Sequence, residues 1–472
     1  MSDYKQFEDS IIKAVDKFKA LPKNERIRVI SHLDADGICA CAILLKALNH
    51  DNRNYSISIV QQLNEQILKN LQKEDYKHYF FTDLGSGQID SINKYLNEKS
   101  VFILDHHTPK EVAPNENIVQ VNPHLQGIDG GTEISGSGVV YLFTNKLNNR
   151  KDMAHIAIIG AIGDIQENNG FKKLNEEILQ TAVQEGKINI KKGLRVFGVQ
   201  TKPLHKTLEY CTDPYIPGVS GSESGAIQFL KQIGIDPKNN KGWKKMVHLT
   251  EEETQKLIAG VIMKRSDEQD PEDVIGNIYT LTNEKEESSL KDAKEFATLL
   301  NSCGRLNKAS LGIGVCLNDP VAKRKALANA ADYKKEIVKA MNWYHDNKNT
   351  ESITTEDGFI IINAKENVLV SMIGTIASIL SKSNDLKPST FIMSLARNIM
   401  QDTTKISLRV SGRNKDLDLR KIIDQITTNI PGAEAGGHMA AAGAMIPTEK
   451  EQEFLKEAKR ILKLNSIEEK IE

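Results

Sequence analysis

The stretch Val101-Phe102-Ile103-Leu104-Asp105-His106-His107-Thr108-Pro109 constrains the fold more than any other, because an apolar run of strand length ends abruptly in a carboxylate and two imidazoles. Val-Phe-Ile-Leu has the unbroken apolar character of a strand buried on both faces of a parallel sheet. In open α/β sheets ligands collect just beyond the carboxyl ends of such strands, so Asp105, His106 and His107 project where a substrate would sit. Three other stretches repeat the arrangement. Ile27–Ile30 runs into His32, Asp34, Asp36 and Gly37, His78–Phe81 runs into Thr82 and Asp83, and Ile156–Gly163, read as a fourth strand, ends in Asp164. Side by side, these ends converge into a His and Asp cluster with no Cys, the donor set expected for Mn²⁺ or Mg²⁺ rather than for a structural zinc. His32, Asp34 and Asp36 occupy i, i+2 and i+4, and in extended backbone all three point the same way.

The rest of the chain supplies the setting. Strand and helix alternate through residue 105 at the rhythm of βαβ units, which predicts a parallel sheet covered on both faces. An amphipathic helix (Phe7, Ile11, Ile12, Val15, Phe18) precedes the first strand, and Tyr55–Val60 is a further strand. A length of 472 residues implies more than one domain. The texture divides it into 1–175, a catalytic α/β domain; 176–352, a mainly helical insertion and candidate partner-binding region; and 353–472, a smaller α/β domain. Within the insertion, Gly193 to Lys206 is locally basic with an aromatic, which suits either single-stranded nucleic acid or a solvated spacer.

Lys+Arg 62 against Asp+Glu 63 leaves no overall basic excess, so any nucleic-acid binding must come from a local patch. The five cysteines show no Cys-x-x-Cys pair and no framework spacing, which predicts a reducing, cytoplasmic setting. The first 19 residues alternate charge with apolar residues, unlike a signal peptide or membrane anchor, and no uncharged apolar run is long enough to span a bilayer. The chain is therefore expected to be soluble, with no membrane partner.

Two glycine-rich stretches invite an anion. Gly127 to Gly138, with Ser135 and Gly136, feeds the apolar run Val139–Phe143, and Gly436-Gly437-His438 precedes a run of small residues near Arg397, Arg409 and Arg413. Backbone N–H groups at a helix N-terminus hold phosphate, and paired glycines permit close backbone approach. A flexible loop and a tight turn are the plainer accounts of these two stretches.

Two divalent ions bridged by a shared carboxylate can hold the attacking and leaving oxygens of an in-line displacement at phosphorus. His32, Asp34, Asp36, Asp83, His106 and Asp164 are about the right number of ligands, leaving Asp105 and His107 available as support for them and as a hydrogen-bond donor to phosphate. A lone Asp at a strand end is usually a cap, but eight such residues at successive ends are hard to explain that way.

These motifs resemble those of a known group. His32-x-Asp34-x-Asp36-Gly37, Thr82-Asp83, Asp105-His106-His107 and Gly163-Asp164 look like motifs I to IV of the DHH phosphoesterase superfamily, and Gly436-Gly437-His438-x-x-Ala441-Ala442-Gly443 with Ser407-Leu408-Arg409 is similar to its DHH-associated C-terminal domain. Gly193-Leu194-Arg195, Thr212 to Gly218 and Cys303-Gly304-Arg305 resemble the archaeal RecJ-like exonucleases, the GINS-associated nuclease group. The resemblance implies a parallel-sheet DHH domain, a smaller α/β DHH-associated domain and a mainly helical insertion between them. It puts His32, Asp34 and Asp83 on one ion and Asp36, Asp83, His106 and Asp164 on the other, with His107 and His124 near the scissile phosphate. Ser135 and Gly136, with Arg409, Arg413, Gly436, Gly437 and His438, would bind substrate. The implied reaction is 5′-to-3′ hydrolysis of single-stranded DNA or RNA with two Mn²⁺ or Mg²⁺ ions, linked to DNA replication and repair through GINS and other replisome components. The alternatives it carries are an oligoribonuclease, a cyclic-dinucleotide phosphodiesterase or a pyrophosphatase, and a replisome scaffold whose nuclease activity is secondary. The eukaryotic relative in the replicative helicase has an eroded metal set, whereas no ligand is lost here.

Overall fold

In a computed structural model the chain forms two compact units, Met1–Ala330 and Ala331–Glu472. The structure describes residues 3–468 except 169, 241, 384–385, 413–416 and 440. The first unit is built on five strands, β1 (Ile27–His32), β2 (Tyr55–Val60), β3 (His78–Thr82), β4 (Ser100–Leu104) and β5 (Ile118–Val121), all parallel in the order β2-β1-β3-β4-β5. The chain leaves β1 for one edge and returns on its other side as β3. Between β1 and β3 the strand order therefore reverses, and ligands of open α/β sheets bind at such a crevice.

Helices cover both faces, as parallel strands require. Helices α1 (Asp3–Lys19), α2 (Ala35–His50), α5 (Gly136–Asn148), α6 (Ala154–Gly163) and α7 (Lys173–Gln184) share one core with Val29, Phe80, Phe102 and Leu104. Helices α3 (Glu65–Gln72) and α4 (Ile89–Tyr95) cover the other face over Ile30, Tyr79, Phe81 and Ile103. Neighbouring strand residues thus go to opposite cores although every one is apolar. Around Phe18 an aromatic knot closes the first core: Phe80 and Phe102 stack at 4.7 Å, and Phe18 meets them edge-on at 5.5 and 6.1 Å.

The run Ile156–Gly163 is a helix, α6, and not the expected strand. Buried all round, it has no polar face to reveal a period, and Ala and Gly make it narrow enough to pass closely over α2 and α5. Position 160 has no room for a Cβ, which would strike Asp36 and Ser137. β5 was not anticipated either; four residues with two only half-buried carry too short a pattern.

Beyond α7 the insertion is mainly helical but begins and ends in an antiparallel pair, β6 (Ile188–Leu194) with β9 (Ile275–Leu281). Between them α8 (Leu204–Glu209), α9 (Glu223–Gln232) and α10 (Glu251–Lys264) pack around their own core of Leu204, Leu208, Phe229, Leu230, Leu257 and Val261, beside the short pair β7 (Lys238–Asn239) and β8 (Gly242–Trp243). Helices α11 (Ala293–Arg305) and α12 (Ala309–Cys316) return to the first core, and α13 (Pro320–Asn347) follows.

The second unit carries a mixed sheet in the order β10-β11-β12-β13-β15-β14, from β10 (Ile353–Glu356), β11 (Phe359–Asn363), β12 (Phe391–Asn398), β13 (Thr403–Val410), β14 (Glu434–His438) and β15 (Ala441–Pro447). Its core, with α15 (Leu419–Thr427) and α16 (Glu451–Glu468), is separate from that of the first unit, and α14 (Ile373–Ser381) lies beside β12 and β13. The stretch expected as a Gly-rich loop, 436–443, is an antiparallel β14–β15 pairing with Gly437 opposite Ala442. Among the described residues no helix is long and apolar enough to cross a membrane.

Phe80→Ala removes the centre of the aromatic knot and leaves a cavity that its neighbours cannot fill. It is expected to destabilise the first unit by roughly 3–5 kcal/mol, read as a lower denaturant midpoint; an unchanged midpoint would contradict this packing.

Candidate metal centre

The sheet register brings His32, Asp83 and Asp105 together, because β1, β3 and β4 are consecutive neighbours and Ser31, Thr82 and Leu104 sit at matching levels. His32 ends β1. Asp34 is the N-cap of α2, its Oδ1 accepting from Gly37 N at 3.0 Å, and Asp36 lies in the first turn. The His32, Asp34 and Asp36 side chains therefore converge through a strand-to-helix turn and not through extended alternation. A cap and a ligand are not exclusive roles here, since Asp34 Oδ1 caps while Oδ2 lies 3.0 Å from His32 Nδ1.

Asp83 follows β3 in the left-handed region, at φ 59°, a conformation that Asp tolerates better than most residues. Its two oxygens face different ways: Oδ2 lies 3.5 Å from His32 Nδ1, and Oδ1 lies 3.3 Å from His106 Nε2. His106 Nδ1 is 2.7 Å from the Gly130 carbonyl, a bond that fixes the ring and directs Nε2 toward Asp164 Oδ2 at 3.2 Å and Asp36 Oδ2 at 3.8 Å. The Gly130 carbonyl also accepts from Gln166 Nε2 at 3.0 Å.

Three sets of potential ligands result: His32, Asp34 and Asp83; Asp36, His106 and Asp164; and Asp83, His106 and His107. In each, one ligand atom per residue lies within 4.8 Å of the others. Asp36 and Asp83 are buried, and Asp36 Oδ2 and both Asp83 oxygens make no hydrogen bond of good geometry among the described residues. Leaving a buried acceptor without a donor costs roughly 1–3 kcal/mol each, so this donor set fits divalent cations.

Asp105 is different. Its buried carboxylate accepts from the backbone N–H of Ser86, His106 and His107 at 2.9, 2.8 and 3.2 Å and from His107 Nδ1 at 2.7 Å. It belongs to none of the ligand sets and orients His107. Burial opposes its ionisation, but His107, His106 and the Ser86 N–H hold it well below the usual carboxylate range. His124 lies half-buried with Nε2 beside Gly130, where no Cβ would fit, and burial lowers its pKa. Ser135 is the buried N-cap of α5, and a Cβ at Gly136 would strike the Asp83 carboxylate. The anion that the α5 N-terminus meets is the protein's own: Ser137 N donates to Asp36 Oδ1 at 3.1 Å.

In the second unit Arg409 donates to the Leu408 carbonyl at 2.7 Å and to Ser378 Oγ at 3.2 Å. Arg397 is held by Glu451 through two bonds, of 2.8 and 2.9 Å, and by Glu366 at 3.2 Å, so its charge is already matched. Gly436 has open space where a side chain would be, Gly437 takes φ 135°, and His438 ends β14. Arg413 lies outside the described residues.

Several supporting residues carry no motif signal. Asn122 Nδ2 donates to the His107 carbonyl and to Ser86 Oγ, both at 2.8 Å. From α11, Asn301 Oδ1 accepts from Ala35 N at 2.9 Å, and Gly304 packs against the Leu33 carbonyl with no room for a Cβ. The Cys303-Gly304-Arg305 stretch was the available clue to that support; nothing local marks Asn122.

Family models match as the DHH family N-terminal domain over residues 26–163, the DHH-CID domain over 196–278 and the DHHA1 domain over 357–464. The uncharacterised protein MJ0831 of Methanocaldococcus jannaschii is 32% identical over 462 residues, covering 96% of this chain and 97% of that protein. This chain belongs to the DHH family. It is a RecJ-like member: the single-stranded-DNA-specific exonuclease RecJ of Thermus thermophilus is 28% identical over 163 residues, 31% of this chain and 23% of that protein. The crystal structure of Thermus thermophilus RecJ with Mn²⁺ superposes with a TM-score of 0.56 at 17% identity, over 97% of this chain and 54% of that one. The chain thus spans about half of the RecJ chain. CDC45 of Entamoeba histolytica superposes with a TM-score of 0.63 at 14% identity, over 98% and 99% of the two chains. The DHH fold and the His/Asp clusters support a phosphoesterase that binds divalent metal.

Burial lowers the pKa of His32 and His106, but the facing carboxylates outweigh it and raise both well above the ordinary imidazole value; burial, reinforced by neighbouring carboxylates, raises Asp36 and Asp164. Without ions these groups hold their protons to higher pH than free side chains do. The stabilisation from a raised imidazole is complete below its unfolded value of 6.5 and fades as pH rises through the folded value, and ionising the raised carboxyls costs stability in the same direction. Metal-free protein should therefore lose stability as pH rises past neutral, and bound dications should replace the lost protons. Mn²⁺ is expected to raise Tm more at about pH 8 than at about pH 6, with buffer-dependent calorimetric heats reporting proton release; an equal increment at both would contradict the assignment. Asn301→Ala is expected to weaken Mn²⁺ binding about tenfold, measured by the same titration.

Proposed function

We propose that this protein is a metal-dependent exonuclease specific for single strands, hydrolysing DNA, and RNA as a second substrate, in the 5′-to-3′ direction with two Mn²⁺ or Mg²⁺ ions. The supporting observation is the division of Asp83: one oxygen faces His32 beside Asp34, and the other faces His106 beside Asp36 and Asp164. In this reading His32, Asp34 and Asp83 hold one ion, while Asp36, Asp83, His106 and Asp164 hold the other. His ligands among the oxygens lean toward Mn²⁺. The ions supply Lewis acidity to a water and to the phosphoryl oxygens.

The chain's own groups do the rest. His107 has its Nδ1 tied to Asp105, and its other ring nitrogen donates to a phosphate oxygen as charge builds there. Asp105, anionic through its four donors, keeps that ring oriented and protonated. His124 lines the approach of the phosphate, Ser135 and Gly136, both buried, hold the start of α5 against Asp83, and in the second unit Arg409, Arg413, Gly436, Gly437 and His438 bind the strand. Replisome components, GINS among them, would dock on the insertion and link hydrolysis to replication and repair.

Asp83→Ala is expected to reduce digestion of end-labelled single-stranded DNA and RNA to background with either metal, while the circular dichroism spectrum stays native. Substrates blocked at one end or the other report polarity. Wild-type digestion by this variant, or turnover of dinucleotides far above that of long strands, would overturn the reading.

A further inference from the structure

Far along the chain from the metal ligands, but in the same compact unit, lies a cluster of exposed aromatic rings that this function does not use. Phe197, Tyr210 and Trp243 are 40%, 55% and 40% exposed in a chain with few aromatics and only two tryptophans. Each is attended by a cation. Lys202 Nζ sits 4.8 Å from the centre of Phe197 and 4.9 Å from that of Tyr210, and Lys238 Nζ sits 4.6 Å over Trp243, whose ring also meets His205 at 4.1 Å. The backbone is built for this: Gly198, at φ 91°, leaves the space that the Lys202 stem fills, and a Cβ there would collide with it.

Charge selects the ligand. Residues 191–253 hold ten Lys and Arg against seven Asp and Glu, a local net of +3 in a chain of net charge −1, with Lys244 and Lys245 themselves held at 2.7 Å by Glu253 and Glu287. Lys206 adds little, because Glu209 and Glu223 hold it at 2.8 and 2.9 Å. A base that stacks on these rings brings its own phosphate within reach of the Lys202 and Lys238 side chains beside them. We propose that this face is an accessory binding surface for single-stranded nucleic acid, in which Phe197, Tyr210 and Trp243 stack on bases while Lys202 and Lys238 meet the phosphates. The choice of nucleic acid as ligand rests on the exonuclease reading; the surface itself does not depend on metal.

The test is binding of a long fluorescent oligo-dT to the full chain without divalent ions, so that cleavage plays no part. Phe197→Ala, Tyr210→Ala and Trp243→Ala combined are expected to weaken binding at least about tenfold, and the corresponding Tyr210→Phe and Trp243→Phe variant is expected to bind like wild type. In a Trp343→Phe background, where Trp243 is the remaining tryptophan, oligo-dT should quench its fluorescence; this readout stands even if the alanine variant fails to fold. Unchanged affinity in a folded alanine variant, or no quenching, overturns the proposal and leaves the face to a protein partner. Hydrolysis without binding at this face would sustain the exonuclease reading alone. Binding here without hydrolysis would sustain this surface and remove that reading.

Discussion

The first unit depends on how it buries several carboxylates within a few ångströms of one another. Burial of an ionised carboxylate is prohibitive unless donors or cations answer it. Each is answered differently. Asp105 takes four donors, Asp34 takes the α2 N-terminus and His32, and Asp36 takes one N–H of α5. Among the described residues Asp83 faces imidazole nitrogens, at 3.3 to 3.9 Å. Both of its oxygens, like Asp36 Oδ2, make no hydrogen bond of good geometry among those residues, and it stands where the strand order reverses.

That crowding sets the packing around it. Gly136 lets α5 approach Asp83, Gly160 lets α6 pass over Asp36 and Ser137, and Gly304 lets α11 press on the turn between His32 and Asp34. At each position a methyl group would meet a ligand side chain or the backbone carrying it. Helix α11 supports the turn after β1 through Asn301, while α8, α9 and α10 pack around a small core of their own.

In the second unit the same principle separates structural from available charge. Arg397 is matched by two glutamates and secures β12 to α16, whereas the β14–β15 pairing leaves open space at Gly436.

The sequence by itself determined strands β1 to β4 and the residue types of the candidate metal centre. Apolar runs ending in Asp and His mark β1, β3 and β4, because a strand buried on both faces must be apolar throughout and its first polar residues must fall at its end. It also marked both paired-glycine stretches. Only the tertiary structure decided how the ligands meet. Asp164 arrives from a helix, since a segment buried all round has no period to declare its conformation. Asp34 and Asp36 turn inward through a helix cap. The glycine-serine stretch offers one N–H, that of Ser137, to Asp36. The division of Asp83 between two clusters needs the β2-β1-β3-β4-β5 order, and strand order is a matter of long-range packing that no local pattern encodes.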